Sequence, residues 1–494
     1  MITLYTIDEC YLEISGTQYP VSAFKLDLTE NGIPNIIITT DDNKYNRQAS
    51  KETPPVKTPT PTELIATYDK FQKFCDKKEK AKFVFKATGL DENGKTDKQE
   101  ITLIDWICTA SGFAAIKSTG YSAFNVTLQH PVYLISSGPS NLMNIVFVDP
   151  EEYEEKMLET TDVYDGLITA LNLYKESVSN ASGGQSGVDV KAQAEQFQEA
   201  VNTIINVITS ELETYPIDGS DFVNAFKFSM LDYATAFKES SIWNVLVGTI
   251  CSEFALSLKP GYNKMYLSPL QPWGSVGYRI NVSDIFNIQL PSSDLEPISG
   301  ASCIVNEDIG ANVSCVGGGG AGDVKDKTFF DGTKHEEYGE NNKLVKGPII
   351  RVGLPQWFIA GMRENCGSKG ALRSPNANEL ALDQLIIDTV YTKYKQELKR
   401  VTDTVFLIKY KQAVNMVFTM RLFLNYNDTS FLPGKVCSII DSNSKELIRG
   451  YMTGLLHVVD VVNKQAQTEV SMRYVRPTDF KVMGAIEKET PIWE

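Results

Sequence analysis

From Phe431 to Asp460 the chain reads FLPGKVCSIIDSNSKELIRGYMTGLLHVVD, and it runs on without a break into VVNKQAQTEVSMRYVRP. Apolar residues recur at every second position. Successive side chains of a strand point to opposite faces, so such a run belongs on a surface with one side buried. Pro433-Gly434 and the polar Asp441-Ser442-Asn443-Ser444 break the alternation with turn chemistry. The stretch is expected to fold as a small antiparallel sheet, and nothing in it suggests catalysis.

The first 40 residues carry the same period. YLEIS, QYPVSAFKLDLTE and IPNIIITT are separated by Gly16-Thr17 and Asn31-Gly32, which predicts a β-meander. Residues 41–62 hold four prolines and almost no large apolar side chains, the composition of an exposed loop. From Pro61 the period changes: Leu64, Ile65, Tyr68, Phe71 and Phe74 recur at helical spacing, with Thr62 and Glu63 suited to a helix start. Strand patterns resume in Lys82–Lys86, Ile101–Trp106 and YSAFNVTLQHPVYL from Tyr121. Residues 1–138 therefore read as a β-barrel or sandwich interrupted by a helix.

Residues 139–262 read as a helical insertion domain. Tyr153, Met157, Tyr164, Leu167, Leu171 and Tyr174 share one face, and a Ser-Gly segment leads into a second amphipathic run from Val190 to Tyr215. Two further helices are expected over 221–238 and 241–258. Residues 263–376 read as a loop-rich β domain, with strand patterns in NKMYLSPL, GYRINVSDIFNIQL and GPIIRVGLPQWFIAG. Residues 377–494 open with a helix carrying Leu382, Leu385, Ile386, Val390 and Tyr394, then return to strands. The fold class expected is α+β, β-rich at both ends with helices between.

A chain of 494 residues, 42% of them hydrophobic, fills several cores, and its net charge of −15 argues against gripping nucleic acid by phosphate neutralisation. The opening Met1-Ile2-Thr3-Leu4 lacks the basic-then-apolar pattern of a signal peptide, and no apolar run reaches membrane-spanning length, so a cytoplasmic chain without a membrane anchor is expected. The eight cysteines form no C-x-x-C pair, which speaks against zinc and thioredoxin-like chemistry. Buried reduced thiols are expected, Cys303 and Cys315 being the pair whose spacing suits a bridge.

Catalytic signals are thin. Gly317, Gly319 and Gly322 satisfy G-x-G-x-x-G, yet no helix start follows to aim its N–H groups at a phosphate. His130, His335 and His457 stand far apart, without the company of a second histidine or a cysteine that a metal site needs. Glu336-Glu337 and the Glu151–Glu155 cluster read as solvated charges. Tyr391–Lys395 and Lys409–Lys411 mix lysine with tyrosine, a pattern of half-buried surface faces. No catalytic, cofactor or metal residue is nominated.

The two ends together resemble the tail hub proteins of bacteriophages. At the start, Gly16-x-x-x-Pro20-Val21-x-x-Phe24 and the strand into Ile33-Pro34 carry the likeness, with EITLIDWICTASGFAAIKSTGYSAFNVTLQHPVYLISS following. At the far end, Pro433-Gly434 opens one strand, Gly450 and His457 mark a second, and Tyr474-Val475-Arg476-Pro477 closes a third. The resemblance covers the two ends only.

It implies tube-like antiparallel β-barrels at both ends of the chain and a homotrimeric ring joining a sixfold tail tube to a threefold central spike. Tail tube protein, central spike protein and other baseplate proteins would be the partners. Genomic DNA would pass an acidic channel wall without specific binding, in a virion assembled in the host cytoplasm. No enzyme activity and no cofactor are implied. Subunit contacts are expected from the outer face of the first helix and an apolar loop, at Leu64, Phe71, Leu354, Trp357 and Phe358. Two other readings compete: a particle-borne cell-wall or polysaccharide hydrolase using acids such as Asp221 and Glu253, and a host-surface adhesin.

Overall fold

The alternating segments become strands that pair almost entirely antiparallel. The computed structural model describes residues 6–40, 61–90, 96–116, 121–136, 188–214, 242–251, 256–272, 274–289, 302–306, 349–353, 415–427 and 429–477, with short pieces between 164 and 176. The described residues are mostly strand, with few helices.

β1 (Thr6–Ile14) and β2 (Thr17–Thr29) form a hairpin across Ser15 and Gly16, both at positive φ, which a tight turn between strands demands. β2 then pairs with β3 (Asn35–Thr40) beyond a turn whose Asn31 also lies at positive φ. Helix α1 (Pro61–Asp76) precedes β4 (Lys80–Leu90), β5 (Thr96–Ile116) and β6 (Tyr121–Gln129). The ladders run β1–β4, β4–β5, β5–β6, β6–β3, β3–β2 and β2–β1, all antiparallel, so the six strands form a closed circuit. Alternation fills its inside: Phe24, Leu26, Leu28, Ile36, Ile38, Phe83, Phe85, Leu103, Val126 and Leu128 are all buried. Each such side chain contributes roughly 1.5–3 kcal/mol by leaving water.

The strand expected to continue through Leu134 stops at Gln129. Pro131 has no N–H to donate to a ladder, and Tyr133–Ser136 form a helical turn, α2. The described part of the expected helical region includes α3 (Val188–Glu211), the three-residue strand β7 (Leu212–Thr214), and α4 (Ile242–Asn244), which runs on as a π-helix to Cys251. The helix expected over 241–258 thus ends early. Leu256–Pro260 is a strand, β8, paired with β9 (Met265–Pro269), which also pairs in parallel with β7. The expected helix over 221–238 and the one opening at 377 lie outside the described residues.

β10 (Val276–Asn281) and β11 (Ile285–Gln289) are two parts of one strand, interrupted by a 3-10 turn at Val282–Asp284. β12 (Ser302–Asn306) and β13 (Ile349–Gly353) pair in parallel. β14 (Met416–Arg421) is followed by the small hairpin β15 (Asn425–Tyr426) and β16 (Thr429–Ser430). β17 (Val436–Ile440), β18 (Glu446–Asp460) and β19 (Gln465–Pro477) complete the chain's sheet. β10 pairs with β17, β17 with β18, β18 with β19, β19 with β14 and β14 with β11. Because β11 follows β10 directly across that turn, this path comes back to the segment from which it started. The β10–β17 pair is its one parallel ladder.

One ladder joins the two circuits. β18 is long enough to pair with β17 through its first half and with β2 through its second, from Gly454 opposite Thr29 to Asp460 opposite Ala23. Its other edge is held by β19 from Ile448 to Asp460. A single buried cluster runs from Leu12 and Phe24 in one circuit to Phe418, Met452 and Val470 in the other.

Candidate functional site

The shared ladder is accompanied by polar groups that lock the two circuits together. Gln99 of β5 is 1% exposed, and its Oε1 accepts from the backbone N–H of Leu424 at 2.6 Å and of Asn425 at 3.1 Å. Leu424 and Asn425 follow β14, so a side chain from the first circuit satisfies the backbone of the second. An unmet buried N–H costs about 1–3 kcal/mol, which makes this contact specific. Beside it, Arg421 stands between two carboxylates: Nε is 2.7 Å from Asp284 Oδ1, and Nη1 donates to Asp97 Oδ2 at 3.2 Å. The guanidinium also lies 4.5 Å from the centre of the Phe423 ring.

β8 and the segment after it tie a third element into this joint. Asn31 N–H donates to Leu258 O and Leu258 N–H donates to Asn31 Oδ1, each at 2.8 Å. Trp106 Nε1–H donates to Tyr262 O at 2.9 Å, Tyr262 O–H to Leu424 O at 2.8 Å, and Asn263 Nδ2 to Thr102 O at 3.0 Å. Tyr451 O–H donates to Glu30, whose carboxyl is pushed up by burial against the lowering pull of that bond and of Lys259. These bonds hold the elements of the joint in position.

The two described histidines are interior groups. His457 is fully buried in β18 with Nδ1 2.9 Å from Thr468 Oγ1, and burial pushes its pKa down to about 3. His130 packs edge-on against Trp106, with its pKa lowered to about 4 by burial. Both rings are neutral under ordinary conditions. Burial pushes the thiols of Cys10, Cys108, Cys251 and Cys437 up to about 12, so these cysteines are protonated. Among the described residues no group of three or more metal-binding side chains occurs, and no helix is long and apolar enough to cross a membrane.

The structure distributes the nominated contact residues unevenly. Phe71 is only 2% exposed, packed 5.2 Å from Tyr19 and 5.7 Å from Phe124 between ring centres, so α1 spends it on the core. On the same helix Ile65 is 61% exposed, an apolar side chain turned outward. Leu64 is on this helix as well, its side chain outside the described residues. Leu354, Trp357 and Phe358 lie outside the described residues, as do Asp221, Glu253, His335, Cys315 and the glycine run at 317–322. Sequence reading missed Gln99, Arg421 and the 258–263 segment, because their partners are more than a hundred residues away and leave no local period.

No protein-family model matches the chain, and no curated protein matches it in sequence. Among solved structures it is similar to a tail protein from Neisseria meningitidis, with TM-score 0.41, 8% identity, and 94% of this chain and 95% of that one covered. It is also similar to a 43 kDa tail protein of prophage MuSo2 from Shewanella oneidensis, with TM-score 0.38, 8% identity, and 94% and 98% covered. A third is an E. coli component of the type VI secretion system, itself described as structurally similar to the T4 bacteriophage tail proteins gp27 and gp5. There the TM-score is 0.35, the identity 7%, and the coverage 94% and 76%.

Proposed function

We propose that this chain is a structural hub subunit of a phage tail baseplate. Three copies form a ring that joins a sixfold tail tube to a threefold central spike and encloses part of the DNA channel. The observation that carries the reading is the pair of strand circuits fused edge to edge by β2 and β18 within one chain. Two tube-like barrels per subunit make six in a trimer, which is how a threefold object meets a sixfold one. The sequence segments that resemble tail hub proteins supply β2, β3, most of β5 and β6 in the first circuit, and β17, β18 and most of β19 in the second.

Physical arguments support the same reading. Closing strands on themselves removes the free edges that would otherwise aggregate, as a stable particle component requires. Head-to-tail contacts that close produce a ring. A net charge of −15 suits a wall that nucleic acid slides past. The polar interior of the joint serves rigidity, so the role is structural and not enzymatic. Tail tube, spike and other baseplate proteins are the partners, and assembly takes place in the host cytoplasm. Neighbouring subunits meet through the outer face of α1 around Leu64 and through Leu354, Trp357 and Phe358.

Native mass measurement and electron microscopy of the purified protein test this. A trimer whose ring shows six similar lobes is expected; a strict monomer at high concentration would count against it.

A further inference from the structure

A cleft of about 640 Å³ opens between the β8–β9 hairpin, the start of β10 and the approach to β17. Two lysines line it, Lys259 and Lys435, and no carboxylate does among the described residues. That is unusual in a chain with 62 acidic and 47 basic side chains.

Both lysine stems are seated by glycines. A Cβ at Gly434 would lie 2.5 Å from Lys259 Cδ, and a Cβ at Gly277 would lie 3.0 Å from Lys435 Cδ. Each stem therefore lies directly across glycine backbone. Lys259 Nζ donates one hydrogen bond, to Pro269 O at 3.1 Å, and an ammonium has three to give. Lys435 Nζ sits 5.0 Å from the centre of the Tyr278 ring. Burial is the main cost to the charge on Lys259, and the charge of Lys435 adds to it; Glu30, held by Tyr451, offsets part of it. An anion in the cleft would relieve both penalties. The remaining wall is mixed: Leu432 and Pro433 are apolar, while Gln271 and Thr429 bring polar groups.

We propose that this cleft binds an extended protein segment in which a carboxylate side chain sits beside an apolar one. The two ammonium groups take the carboxylate, and the Leu432–Pro433 wall takes the apolar neighbour. A small inorganic anion would meet the charge but leave the apolar wall wet. The proposal stands independently of ring formation, because the cleft lies within one chain.

Calorimetric titration of the full chain with a blocked peptide of alternating Glu and Leu tests it. Two comparisons accompany it: the same peptide with every Glu replaced by Gln, and inorganic phosphate. Lysine acylation read by mass spectrometry reports which side chains are covered. Saturable binding of the Glu peptide with protection of Lys259 and Lys435 is expected. Affinity should fall roughly tenfold, about 1.4 kcal/mol, in a K259Q/K435Q double variant. Lys435 is exposed, so K435E alone keeps the test valid if the double variant fails to fold, and it should lose binding with an unchanged circular dichroism spectrum. Equal binding of the Gln peptide, unchanged affinity in K435E, or equal protection by phosphate alone would overturn the proposal.

Discussion

At the scale of single residues, the buried histidines make stability depend on pH in a direction that can be worked out. His457 has a folded pKa of about 3, below its unfolded value near 6.5. Between those limits the unfolded chain binds a proton that the folded chain refuses, so stability is full above about pH 6.5 and is lost as the pH falls. The loss approaches about 1.4 kcal/mol per pH unit inside that window. His130 acts in the same sense with a folded pKa of about 4, whereas Glu30, raised by burial, acts in the opposite one. Comparing wild type with His457→Gln in denaturant titrations between pH 7 and 4.5 isolates one histidine. The variant should show a shallower acid slope by about one proton, and identical slopes would show that His457 titrates normally. The strand setting of His457 was legible from its apolar neighbours. Its partner Thr468 was not, since a hydroxyl in the next strand leaves no mark on local spacing.

At the scale of elements, Pro433-Gly434 shows how a turn signal acquires a second duty. Gly434 lies at φ +89°, a conformation that side chains rarely adopt, and its N–H donates to Met452 O at 2.8 Å. The sequence alone announced the entrance to β17. Only the fold shows that the Lys259 stem, from a strand 175 residues earlier by the numbering, occupies the space a Cβ would need. Gly434→Ala is therefore expected to cost about 1–3 kcal/mol through backbone strain and to displace Lys259, measured as a lower midpoint in denaturant. A cost within error of zero would mean the turn relaxes freely. β8 teaches the converse lesson. Leu256-Ser257-Leu258 fits a short apolar run of either kind, and periodicity cannot separate a buried strand from a helix end over so few residues. The decision falls to β9, whose ladder takes up the hydrogen bonds.

At the scale of the whole molecule, the continuous core and the β2–β18 ladder predict that the two circuits unfold as one cooperative unit. Amides of β3 and β19, in different circuits, should open in hydrogen exchange with free energies within about 1 kcal/mol of each other. Arg421→Met, which removes the cation between Asp97 and Asp284, should lower both together by about 3 kcal/mol. Two well-separated protection classes would mean that each circuit is stable alone.

What the sequence determined by itself is local: the strands of the two ends where alternation is long, the turns at Asn31-Gly32, Pro433-Gly434 and Asp441–Ser444, and the amphipathic character of α1. Period, propensity and turn geometry act over a few residues, so they can be read from a few residues. Tertiary structure alone decided that β18 would leave β17 for β2, that β10 would run parallel to β17, and that Gln99 and Arg421 would bind the ends of the chain together. Those choices join residues up to hundreds of positions apart. They are made by which buried faces and unmet hydrogen-bonding groups can satisfy one another once the whole chain is packed.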